Sequence, residues 1–107
     1  MITFDEWQKV ELVTARVVTA SAHENADRLL VLMLDIGAEE PLQVVAGIRG
    51  HYEPESLVGK TVIALVNLEP AKLRGVESQG MVLAVKDGEE VRLLAVDAKV
   101  APGRRVT

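Results

Sequence analysis

Five short runs rich in Val, Ile, Leu and Ala, at residues 10–22, 29–36, 42–46, 61–66 and 81–85, recur along the chain. Each is followed within a few residues by Gly, Asn or Asp. Branched apolar side chains stiffen an extended backbone, and turn formers at this spacing stop each run before a long helix can establish itself. The pattern predicts an all-β fold of five strands in a small barrel, because closing the sheet on itself removes exposed edges. The 107 residues contain no linker-like stretch, so 1–107 is expected to be a single domain.

The flanks add to this frame. Residues 3–9 predict a short N-terminal helix, with Thr3 as N-cap and Glu6 three residues on as in a capping box. Phe4 and Trp7 would share its buried stripe. Residues 47–60 hold several breakers and one helical turn starting at Pro54, a position that suits proline, and this segment is expected to plug one end of the barrel. Asp87-Gly88 signals a hairpin leading to residues 91–96, and Pro102-Gly103 opens a C-terminal extension carrying Arg104 and Arg105. With one internal helical turn among five strands, the oligonucleotide-binding barrel is the best match.

Composition excludes several functions. Cysteine is absent, so there is no thiolate metal site, thiol nucleophile or disulfide framework. The longest apolar run is far too short to span a membrane, and the acidic N-terminus is unlike a leader peptide, so a cytoplasmic protein without membrane contact is expected. Residues 75–80 resemble a serine hydrolase elbow only superficially, since Val76 stands where that elbow needs glycine. No Gly-rich phosphate loop of the Walker or dinucleotide type is present, and His23 with Asp27 lacks the spacing of a zinc site. No enzymatic activity, cofactor or metal is expected.

Residues 67–81, Asn-Leu-Glu-Pro-Ala-Lys-Leu-Arg-Gly-Val-Glu-Ser-Gln-Gly-Met, form a long connection between two strands, and their chemistry points to a partner. Lys72 and Arg74 at i, i+2 in an extended segment would point the same way, as a pair aimed at phosphate. Asn67, Ser78 and Gln79 can donate and accept at base edges or riboses. A net charge of −4 and only three aromatic residues argue against a general stacking platform for single strands. A nucleic-acid partner would have to be held by a local patch that reads shape.

The order of residues in this stretch resembles the signature of the structure-specific tRNA-binding domain, which occurs free-standing and at the C-terminus of methionyl-tRNA synthetases. A second block, His23-Glu24-Asn25-Ala26-Asp27-Arg28-Leu29, is similar to that family's His-Pro-Asn-Ala-Asp-Lys-Leu. The chain departs from the family at Val13 and Ala15, where a basic residue and a glycine are usual. The resemblance implies non-catalytic, structure-specific tRNA binding, as a free-standing protein or auxiliary subunit. It implies Arg28, Lys72 and Arg74 at phosphates, Asn25, Asn67, Ser78 and Gln79 at bases or sugars, and Met81 in apolar contact. It also implies a homodimer, an expectation supported by the doubly apolar runs 29–34 and 61–66, and an aminoacyl-tRNA synthetase is a candidate partner. The runner-up is the related family of dimeric CsaA export chaperones, which bind unfolded polypeptides and suit a negative charge equally well. A third reading is a synthetase-docking module.

Overall fold

The computed structural model describes all residues from Met1 to Thr107. Helix α1 (Phe4–Gln8) is followed by β1 (Leu12–Ala22), β2 (Leu30–Asp35) and β3 (Leu42–Ala46). Helix α2 (Pro54–Leu57) leads to β4 (Thr61–Leu65), β5 (Ala71–Leu73) and β6 (Val76–Ser78). Strands β7 (Met81–Val82), β8 (Ala84–Asp87) and β9 (Glu90–Leu93) complete the order. The main sheet is antiparallel in the order β3-β2-β1-β4-β7, and β5-β6 and β8-β9 are separate hairpins.

β1 is the spine. Its first half pairs with β4 and its second half with β2, and a register shift between Val17 and Thr19 marks an irregularity in the β2 pairing. An irregularity of that kind bends a strand and strengthens its twist, which lets one long strand serve both sides of a closing sheet. At this shift Val17 N–H donates to Lys60 C=O and Gly59 N–H donates to Val17 C=O, so the end of α2 is tied to β1. Leu57 of α2 is fully buried and joins Leu30, Leu32, Leu34, Val44 and Val62 in one core cluster, which plugs the barrel as the sequence predicts.

The tail occupies the remaining edge of β1. Thr14 N–H donates to Arg104 C=O, and Gly103 N–H and Val106 N–H donate to Thr14 C=O and Leu12 C=O. Gly103 has φ +83°, and a Cβ there would lie 2.5 Å from the Ile36 carbonyl oxygen, so only glycine lets the tail pass. Arg105 donates to the carbonyls of Gln8 and Val10, pinning the tail to the exit of α1. The basic pair of the extension is therefore partly structural.

Three expectations change. The predicted fifth strand 81–85 breaks at Leu83 into β7 and β8, with the turn of the following hairpin at Gly88-Glu89. Phe4 is 70% exposed and the α1 stripe is not buried within one chain, although the capping box between Thr3 and Glu6 forms as read. Val62, Ile63 and Ala64 are all buried within the single chain, so β4 leaves no free apolar face for a second copy, whereas Val31 and Met33 of β2 are half-buried.

Candidate nucleic-acid interface

Strands β3 and β7 are the ends of the main sheet, and the segment between β6 and β7 bridges them. Gln79 N–H donates to Gln43 C=O at 2.8 Å and Gln79 Oε1 accepts from Gln43 N–H at 2.9 Å, so backbone and side chain together imitate a neighbouring strand. Ser78 Oγ accepts from Val45 N–H at 3.0 Å and donates to Gly80 C=O at 2.9 Å. Gln43 Nε2 returns a bond to Glu77 C=O at 2.7 Å. A Cβ on Gly80 would meet the Leu65 carbonyl oxygen at 2.5 Å, so glycine is required where the chain crosses to β7. Ser78 is buried, with its hydroxyl fully used inside the protein. Asn67 is occupied in the same manner at the other end of the segment, its Oδ1 accepting from Glu11 N–H at 3.0 Å and its Nδ2 donating to Lys9 C=O at 2.6 Å.

Between these anchors the segment is a two-stranded ribbon rather than the extended connection the sequence suggests. β5 and β6 pair Lys72 with Glu77 and Leu73 with Val76. The turn between them has Arg74 at φ 54° and Gly75 at φ 88°, two consecutive left-handed residues as the type I′ hairpin turn requires. Lys72 therefore lies on a strand and Arg74 on the corner, which corrects the expectation of a parallel i, i+2 pair. Lys72, Leu73, Arg74 and Gly75 are all exposed. The two salt bridges of the chain are Arg16–Asp35 and Arg92–Glu90, so Arg28, Lys72 and Arg74 carry unpaired charge.

The ribbon is fastened to the 23–28 turn through a buried histidine. His23 Nδ1 accepts from Asn25 N–H at 2.9 Å, which leaves the ring proton on Nε2, 2.9 Å from the Leu73 carbonyl it donates to. Arg49 braces the same turn from the other side, its Nη1 donating to Ala26 C=O at 3.1 Å and His23 C=O at 3.4 Å. As a result Asn25 and Val76 line one cavity of about 330 Å³. Arg28 instead lines a separate cleft with Arg49 and Lys86, and Met81 lines an apolar slot with Val45 and Ile48. The structure thus brings Asn25 to the ribbon, and places Arg28 and Met81 at the mouth of neighbouring cavities.

Sequence reasoning passed over Gln43, Arg49 and the anchoring role of His23. Gln43 gave one signal, a polar residue inside the apolar run 42–46. Arg49, between Gly47 and Gly50, resembles any loop cation until its carbonyl partners are known. No group of three or more His, Cys, Asp or Glu is placed to hold a metal ion, and no helix is long and apolar enough to cross a membrane.

A bent β1 closing a five-stranded barrel, with a cationic ribbon standing at the seam, defines an oligonucleotide-binding type of domain. The family model described as "Putative tRNA binding domain" matches residues 12–105, and the chain belongs to that family. The chain is 50% identical over 106 residues to the methionine–tRNA ligase of Thermotoga maritima, covering 99% of this chain and 17% of that protein. It is 49% identical over 105 residues to that of Thermococcus kodakarensis, covering 98% of this chain and 14% of the other. The chain thus spans less than a fifth of the length of these relatives. Among solved structures it is similar to a methionyl-tRNA synthetase related protein from Pyrococcus horikoshii, with TM-score 0.91 at 35% identity, covering 100% of this chain and 98% of that one. It is also similar to the chaperone CsaA from Bacillus anthracis, with TM-score 0.89 at 27% identity and coverage of 100% and 99%.

Proposed function

We propose that the chain is a non-catalytic module that binds tRNA by its folded shape, as an auxiliary subunit or domain of methionyl-tRNA synthetase or as a free-standing binder in the cytoplasm. The observation that carries this reading is the β5-β6 ribbon, which holds Lys72 and Arg74 exposed and unpaired on a base that is anchored at Asn67, His23, Ser78 and Gln79. A rigid mount lowers the entropy lost on binding, and phosphate contacts supply affinity without reading sequence. Arg28, Lys72 and Arg74 are assigned to phosphates, Asn25 to a base or sugar, and Met81 to apolar contact. Asn67, Ser78 and Gln79 support the site mainly by shaping it, since their hydrogen-bonding groups are largely occupied by backbone.

A homodimer is part of the proposal. Ile2 and Phe4 are 67% and 70% exposed, and Phe4, Trp7, Val10 and Val106 line one shallow hollow beside them. Apolar surface of this kind is what a second copy would cover. Sedimentation showing a monomer at every accessible concentration would remove the dimer.

The experiment for the function is binding of bulk tRNA against an equal mass of unstructured RNA, at low and moderate salt. Preference for folded tRNA is the expected result, and no tRNA binding at low salt would refute the reading. The likeness to CsaA at TM-score 0.89 supports one competitor, so an unfolded polypeptide belongs in the same assay. Affinity for the polypeptide without affinity for tRNA would establish the chaperone reading instead.

A further inference from the structure

Away from the ribbon, two adjoining cavities of opposite character lie where β3 and the residues after it face β7 and the β8-β9 hairpin. The first is an apolar slot of about 220 Å³ whose walls include Ala46, Ile48, Val82 and Val91, with Met81 beside them. The second is a cleft of about 520 Å³ lined by Arg28, Arg49, His51, Lys86 and Glu89. Gly47 and Val91 line both, so the two adjoin and together make one two-part groove.

Charge decides what chemistry the groove fits. Three cations against one carboxylate face the cleft of a chain whose net charge is −4, so positive potential is concentrated here against the general field. Arg49 is held in place by the carbonyls of His23 and Ala26, which positions its guanidinium before any ligand arrives. The adjoining slot offers aliphatic walls and the soft thioether of Met81, 41% exposed, against which an aromatic ring packs well. A flat ring with apolar faces, joined to a phosphate at short range, is the description of a nucleotide whose base has left its stack.

We propose that this groove holds one unstacked nucleotide of the bound RNA, with the base in the slot beside Met81 and its phosphate in the cleft between Arg28, Arg49 and Lys86. The inference rests on the tRNA-binding reading and deepens it, because it adds a local contact distinct from the ribbon. Folded tRNA offers such unstacked nucleotides where its loops meet, while a regular duplex does not. A shape reader with one nucleotide pocket thus discriminates against plain duplex RNA.

Gly47 supplies a clean test. A Cβ there would have its nearest neighbour 4.0 Å away, at Leu29 Cδ2, so this exposed position admits a side chain, and Gly47→Leu, with its fold checked by the amide spectrum, adds bulk at a residue that lines both cavities. Lys86 is exposed, so Lys86→Glu reverses a cleft charge at no cost to the core. The probes are adenosine 5′-monophosphate, adenosine and inorganic phosphate, followed by amide chemical shifts, together with tRNA affinity for the full chain and both variants. The nucleotide is expected to shift amides of both slot and cleft, with Ile48, Val82, Arg49 and Lys86 among them. Phosphate is expected to shift the cleft alone. Gly47→Leu should abolish the nucleotide response, and each variant should weaken tRNA binding about tenfold.

The proposal is overturned if tRNA binds wild type and both variants equally, which would leave the tRNA reading standing on the ribbon alone. It is also overturned if phosphate and nucleotide give the same shift pattern, since the site would then take a simple anion. A nucleotide response at the groove without any tRNA binding would support the site and refute the tRNA reading.

Discussion

Ser78, Gln79 and Gly80 are buried or half-buried at the seam of the barrel, and the Ser78 hydroxyl and Gln79 carbonyl oxygen bond the backbone of β3. Lys72, Arg74 and Gly75, only a few residues earlier, are exposed, and neither cation forms a salt bridge, although Glu77 stands opposite Lys72 across the ribbon. One stretch closes the sheet and the other stands free of it. A sequence signature therefore mixes residues that build a site with residues that meet the ligand, and burial with hydrogen-bond occupancy separates them.

The largest effect that should follow is at Gly80. Gly80→Ala places a Cβ 2.5 Å from backbone oxygen of Leu65, and we expect a stability loss of about 3 kcal/mol or more in denaturant unfolding. Ser78→Ala comes next. It leaves the Val45 N–H and the Gly80 carbonyl unpaired in a buried place, at a cost of about 1–3 kcal/mol, while tRNA affinity of the folded protein changes little. The Lys72→Ala, Arg74→Ala double variant should do the reverse, keeping stability within about 0.5 kcal/mol and weakening tRNA binding about tenfold.

A smaller effect sharpens the contrast at the corner of the ribbon. Arg74 has φ 54°, where a side chain costs about 1 kcal/mol relative to glycine, so Arg74→Gly should leave thermal stability equal or slightly higher. If tRNA affinity still falls, the strained arginine is kept for binding and not for folding. A variant that loses stability and keeps affinity would assign Arg74 to the barrel.

Much of the fold was legible because it rests on local patterns. The runs at 10–22, 29–36 and 42–46 became β1, β2 and β3, Pro54 opened α2, and Thr3 with Glu6 capped α1. The ribbon was not legible, since its turn uses Arg74-Gly75 where the usual hairpin pairs are Asn-Gly or Asp-Gly. The occupied state of Asn67, Ser78 and Gln79 was hidden for a different reason. Apart from Gly80, two residues from Ser78, their partners lie 33 to 58 residues away in sequence, and a short polar side chain looks the same whether it meets RNA or backbone. The His23 anchor, 50 residues from Leu73, was beyond local pattern for the same reason.

The most direct measurement is the salt dependence of tRNA affinity for wild type and for the Lys72→Ala, Arg74→Ala variant. Each phosphate contact contributes about −0.9 to the slope of log affinity against log salt, so the variant should have a slope shallower by about 2 per chain engaged. Parallel slopes, with the variant binding as tightly as wild type, would contradict the assignment of the ribbon as the part of this domain that grips RNA.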